Sequence, residues 1–254
     1  MARRGLAVAF GRARQLAAAA AEAYRRGTVS DPRTDAQANI TLDVDGNIIV
    51  AFKGSSEPAD FVQDAKFEMC GLNQNGIGPA AKVHCGFLED FSAIKEAVVS
   101  QVEALLPRGE LFITGHSLGG ALAMLFAPEF CARRLPVSGV YTFGQPRVGN
   151  SAFAAGYDRT VAMNGSTLKD LTMRVVNEND IVPRTPGWLL GYRHGGNELF
   201  LPAGTITEWE LNPGPWSHAW SDLLGLYGAW RNRRDVLVSE HFLAAYRQRI
   251  QLMG

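Results

Sequence analysis

The stretch Leu111-Phe-Ile-Thr-Gly-His-Ser-Leu-Gly-Gly-Ala-Leu-Ala-Met124 joins two apolar runs through a serine flanked by glycines. The first run reads as a buried strand and the second as a helix, with Ser117 at the junction. A turn that merely happened to contain a hydroxyl would need neither Gly119 nor Gly120. A sharp strand-to-helix bend needs small residues on both sides, and it leaves the serine Oγ exposed above the sheet. The start of the helix also turns free N–H groups and the positive end of a dipole towards any oxyanion formed there. G-x-S-x-G alone is a weak signal, and its setting between strand and helix is what makes it specific.

Working outward, Asn39–Phe52 reads as a hairpin. Ile40, Leu42 and Val44 alternate on one arm, Asp45-Gly46 supplies the turn, and Ile48 to Phe52 forms the second arm. Phe87, Phe91, Ile94, Val98, Val102 and Leu105 fall on one face of a helix that Pro107 and Gly109 stop. Val137–Gly144 and Leu171–Asn177 are two further strands, separated by helix and loop. Pro128, inside the helix after Ser117, is expected to kink or end it. Strands alternating with helices point to an α/β class with a mostly parallel or mixed central sheet covered on both faces. In such sheets ligand sites lie at the carboxyl ends of the strands.

The chain has 254 residues, 46% of them apolar, which is enough to bury a full core as one domain spanning 1–254. Its 25 basic and 25 acidic residues balance, which excludes a general nucleic-acid binder. No apolar stretch is long enough to span a bilayer. Within residues 1–30, Leu6, Phe10, Ala13, Ala17, Ala20 and Tyr24 recur at helical spacing, the mark of an amphipathic helix packed on the domain. Arg12 and Arg14 interrupt the apolar core that a secretory signal needs, so no clear signal peptide shows. Cys70, Cys85 and Cys131 form no C-x-x-C pair, which gives poor support to a metal site or a disulfide framework. Cys131 reads as a buried free thiol, and pairing of Cys70 with Cys85 is left open.

A serine hydroxyl needs a base, and the base needs an orienting acid. Of the five histidines, His116 sits on the same bend as Ser117 and reads as structural. His84 and His194 precede Cys85-Gly86 and Gly195-Gly196 and read as turn or core residues, leaving His218 and His241 as candidates. Asp180 follows an apolar strand and precedes a proline-bounded loop, a position suited to orienting an imidazole.

At this point the motifs resemble a known family, the class 3 or fungal-type triacylglycerol lipases. They are F-K-G-S at 52–55, V-H-C-G-F at 83–87, G-H-S-L-G-G at 115–120, F-G-Q-P-R-V-G-N at 143–150, N-D-I-V-P-R at 179–184 and Y-R-H-G-G-N-E-L-F-L at 192–201. The resemblance implies an α/β-hydrolase fold with Ser117 as nucleophile and Asp180 as acid, in the order serine, acid, histidine. The family's H-x4-Y pattern fits His241 with Tyr246, whereas Leu223 follows His218 at that spacing, so His241 is the expected base. The backbone N–H groups of Ser55 and Leu118 are the expected oxyanion hole. Lys53 stands where the family has arginine, which puts in doubt the strength of any ion pair bracing that loop.

Phe61, Val62, Ala65 and Met69 fall on one face of a short helix within residues 56–69, which reads either as a permanently packed helix or as the mobile lid that the resemblance implies. Trp216, Trp220, Leu223, Tyr227 and Trp230 step at helical spacing as a cap helix, and Trp188, Leu189 and Leu190 are expected to contribute pocket wall. The implied substrate is a carboxylic ester, most specifically an acylglycerol met at a lipid–water interface, with no metal or cofactor and no nucleic acid. A non-lipase carboxylesterase of feruloyl type is the nearest alternative, and a non-catalytic lipid-surface binding protein is the alternative of another class.

Overall fold

The computed structural model describes residues 2–55, 67–74, 76–202, 209–213 and 241–252, with side chains from residue 10 onward. The side chain of Leu6, the expectations for Phe61, Val62 and Ala65, the 216–230 stripe and His218 all lie outside the described residues.

Twelve strands are described: β1 (Val29–Ser30), β2 (Gln37–Leu42), β3 (Ile48–Phe52), β4 (Met69–Gly71), β5 (Lys82–His84), β6 (Leu111–His116), β7 (Val137–Phe143), β8 (Gly149–Asn150), β9 (Thr172–Asn177), β10 (Tyr192–Arg193), β11 (Asn197–Leu201) and β12 (Glu210–Leu211). Eight of them form the main sheet in the order β1-β2-β3-β6-β7-β9-β11-β12. From β3 to β11 neighbouring strands run parallel, and the antiparallel pairs are confined to the two edges. The expected mostly parallel, mixed sheet is therefore present.

Side-chain alternation along the strands sends the core to both faces. Ile48, Val50, Phe52, Leu111 and Ile113 pack on one side with Phe87, Phe91, Ile94 and Val98 of the helix Cys85–Ala104 and with the helix Leu118–Ala132. Ile49 and Phe112 point the other way, where Leu16 of the N-terminal helix Ala2–Glu22 covers them. That face continues through Phe10, Ala13, Ala17 and Ala20 against Phe143, Val175 and Leu199, joined by Tyr246 and Ile250 of the helix Leu243–Gln251. A strand covered on both faces cannot alternate in polarity, and every residue of β6 is buried.

Several expectations need correction. Val44 does not alternate inward: β2 ends at Leu42, and Val44 is 99% exposed. The cause is Asp43, whose Oδ1 accepts the N–H groups of Asp45 (3.0 Å) and Asn47 (2.8 Å) and so closes the turn with Val44 at its corner. Pro128 does not end its helix, which runs on to Ala132 with Phe126, Ala127, Pro128 and Phe130 all buried, so packing outweighs the lost backbone bond. Met69 is not on a lid helix: it opens β4, opposite His84 of β5. Beside it, Cys70 and Cys85 form a disulfide that ties β4 to the first residue of the helix Cys85–Ala104. Cys131 is a free thiol, partly rather than fully buried.

Candidate active site

The parallel register brings the carboxyl ends of four strands level. Phe52 of β3 lies opposite Gly115 of β6, Phe143 of β7 opposite His116, and Val175 of β9 opposite Phe143. The loops that leave these ends carry Ser55, Ser117, Gly144 and Asp180.

Ser117 links β6 to the helix Leu118–Ala132 with φ 57° and ψ −128°, a conformation that non-glycine residues avoid and that costs about 1–3 kcal/mol. Serine is a favoured N-cap, yet here its side chain makes no capping bond, so Oγ is not spent on the helix. Close approach explains the glycines. A Cβ on Gly115 would run into the backbone of Gly119, and one on Gly119 into the backbone of Phe52 and Lys53. Leu118 opens the helix, so its N–H has no acceptor within it. On the neighbouring strand end, Gly54 sits so tightly against the His116 carbonyl and the Tyr24 hydroxyl that a Cβ there would collide with both. This backbone fit seats Ser55 beside the bend.

Asp180 and His241 are fully buried and paired: His241 Nδ1 lies 3.0 Å from Asp180 Oδ1 and 2.9 Å from Oδ2. Asp180 Oδ1 also accepts the Val182 N–H at 2.9 Å, and Oδ2 accepts the Tyr246 hydroxyl at 2.5 Å. The contact with Asp180 thus engages Nδ1 of His241. Nε2 is left buried and without a hydrogen-bond partner among the described residues. Gly144, at φ +58°, makes room for the pair, because a Cβ there would stand 2.8 Å from Asp180 Oδ2 and 3.0 Å from the His241 ring.

The structure therefore pairs Asp180 with His241 and links the His241 backbone through His116 to the bend that carries Ser117, with Leu118 next in the chain and Ser55 following Gly54 on the neighbouring loop. Tyr246 extends the pair beyond what the H-x4-Y spacing says: its hydroxyl also accepts the Asn177 N–H at 3.2 Å, and burial and the adjoining Asp180 charge hold its own proton firmly in place. His116, read as structural, bridges Tyr24 Oη (2.8 Å from Nδ1) to the His241 carbonyl (2.6 Å from Nε2). Burial, followed by the nearby His241, keeps the His116 imidazole well below its usual pKa and hence neutral. Tyr24 was legible only as a helix-face residue, and nothing local to it signals that contact. His84 caps the helix Cys85–Ala104, its Nδ1 accepting the Gly86 N–H, and His194 Nε2 meets the Pro183 carbonyl at 2.7 Å. Lys53 does form an ion pair, 2.8 Å to exposed Asp35. Trp188, Leu189 and Leu190 do not form an enclosed wall: they ride a 3-10 turn with more than half of each exposed, Leu189 at 81%. Among the described residues no group of three or more His, Cys, Asp or Glu could hold a metal ion.

Residues 49–190, more than half of the chain, match the family model described as Lipase (class 3). The chain is 34% identical over 166 residues to a lipase of Rhizomucor miehei, covering 63% of this chain and 43% of that protein. It is 31% identical over 186 residues to secreted mono- and diacylglycerol lipase 1 of Fusarium solani, covering 72% of this chain and 52% of that one. The match thus spans about half the length of these relatives. A solved triacylglycerol lipase whose catalytic centre is described as a serine protease triad superposes with a TM-score of 0.57 at 31% identity, over 68% of this chain and 64% of that one.

Proposed function

The chain belongs to the class 3 lipase family, and on that premise we propose that it is a serine carboxylic-ester hydrolase acting on acylglycerols. The observation that carries the reading is the buried Asp180–His241 pair, 2.9 Å at its closest, whose Nε2 has no hydrogen-bond partner among the described residues and whose backbone carbonyl meets His116, the residue before an uncapped Ser117 hydroxyl. Ser117 Oγ attacks the ester carbonyl carbon while His241 Nε2 takes its proton. The tetrahedral oxyanion accepts hydrogen bonds from the Leu118 and Ser55 N–H groups. Collapse expels the alcohol, which takes the proton from His241, and leaves the acyl group on Ser117. Water, deprotonated by the same Nε2, then releases the acid. Asp180 holds the Nδ1 proton and stabilises the imidazolium at each stage.

Residues 1–254 act in this reading as one α/β-hydrolase domain. The substrate is met at a lipid–water interface, a reading supported by the exposed Trp188-Leu189-Leu190 turn on the loop that follows Asp180. The Cys70–Cys85 disulfide supports work outside a reducing cytoplasm. Among the described residues no helix is long and apolar enough to cross a membrane.

The test is hydrolysis of p-nitrophenyl esters of graded chain length, below and above micelle formation, with Ser117→Ala as control. Turnover that rises with long chains at an interface and vanishes in the mutant is expected. Turnover confined to short soluble esters would make the protein a carboxylesterase, and none in the wild type would overturn the enzymatic reading.

A further inference from the structure

Tyr24, just past the N-terminal helix, touches two parts of the site through one hydroxyl and reaches a third through His116. Its Oη lies 2.8 Å from His116 Nδ1, and His116 Nε2 lies 2.6 Å from the backbone carbonyl of His241. A carbonyl only accepts, so Nε2 carries the His116 proton and Nδ1 is the acceptor. The Tyr24 O–H must then donate to Nδ1, which leaves its oxygen lone pairs to accept the Gly54 N–H, a bond that counters part of the upward shift burial gives the phenol. Every direction in the chain is thereby fixed: Gly54 N–H to Tyr24 Oη, Tyr24 O–H to His116 Nδ1, His116 Nε2–H to the His241 carbonyl. Gly54 precedes Ser55, His116 precedes Ser117, and the chain ends on His241 itself. The absence of a Cβ at residue 54 is what admits the tyrosine, since an added one would strike its hydroxyl.

We propose that Tyr24 is a positioning residue for catalysis: through His116 it locks together the oxyanion loop, the nucleophile bend and the His241 backbone, and it holds His116 in the one neutral tautomer that can do so. The neutrality matters because the His116 and His241 rings lie 4.6 Å apart between centroids. A charged His116 would oppose formation of the His241 imidazolium during turnover. The proposal rests on the ester-hydrolase reading for its kinetic consequence, but not for its geometric one.

The test is Tyr24→Phe, which keeps the ring and removes the hydroxyl, read by steady-state kinetics on a soluble short-chain ester and by imidazole NMR. The expected result is kcat lower by about tenfold with KM within about twofold, the signature of a loss felt in the transition state rather than in binding. The downfield His241 Nδ1–H proton and the His116 ring nitrogens should shift with it. Should the variant not fold, His116→Gln, which keeps a donor for the His241 carbonyl, is expected to retain more kcat than His116→Leu. Unchanged kcat and unchanged histidine resonances in folded Tyr24→Phe, or equal loss in the two His116 variants, would overturn the proposal. A wild type without esterase turnover would instead remove the functional reading, while the resonances would still report whether Tyr24 sets the histidine tautomers.

Discussion

A serine at φ 57° that leaves its N-capping role unused holds a backbone strain that its neighbours must maintain. Gly115 and Gly119 do so by allowing backbone against backbone, and Gly144 makes room for Asp180 and His241. Substituting Gly144 by alanine is expected to displace Asp180 or His241 and to cut kcat more than KM, checked by steady-state kinetics. Tyr246→Phe removes the hydroxyl's bonds to the Asn177 N–H and to Asp180 Oδ2, and should cost about 1–3 kcal/mol of unfolding free energy in urea titrations, together with a fall in kcat. The places of Ser117 and Asp180 in the fold were legible in the sequence because their settings are local, a bend after one strand and a loop after another. The contact of Tyr24 with His116 spans 92 residues and that of His116 with the His241 carbonyl spans 125, and no spacing rule encodes either.

Among the elements, the strands were the most legible, because parallel strands buried on both faces must be continuous apolar runs. The hairpin arm was misread at Val44, where the Asp43 side chain closes the turn two residues before the alternation was expected to end. The disulfide was not legible at all, since three cysteines without a motif say nothing about which side chains meet. It closes a 15-residue separation, so Cys85→Ser or reduction should lower stability by about 3 kcal/mol in denaturant unfolding on the loop-entropy argument. Asp90, on the helix Cys85–Ala104, has its pKa raised to about 7 by burial first and then by the charges of Glu89 and Asp35. Between its unfolded pKa near about 4 and that value, the folded state holds a proton that the unfolded state has lost, so this group makes stability fall as pH rises. Thermal melting followed from pH 4 to 8 should decline less steeply in Asp90→Asn than in the wild type.

At the level of the molecule, the sheet makes neighbours of residues far apart in the chain: His241 and Asp180 are separated by 61 positions and meet at 2.9 Å. The N-terminal helix and the helix Leu243–Gln251 share one face of the sheet, so the support of His241 and of Tyr24 comes from the two ends of the described chain. The central claim is that Ser117 is the group that carries the acyl intermediate. The most direct measurement is stoichiometric inactivation by a fluorophosphonate ester, followed by intact mass and peptide mapping. A single adduct on Ser117 that forms in step with loss of esterase activity, and that is absent from Ser117→Ala, is the predicted result. An adduct on another residue, or full turnover after Ser117 is labelled or replaced, would contradict it.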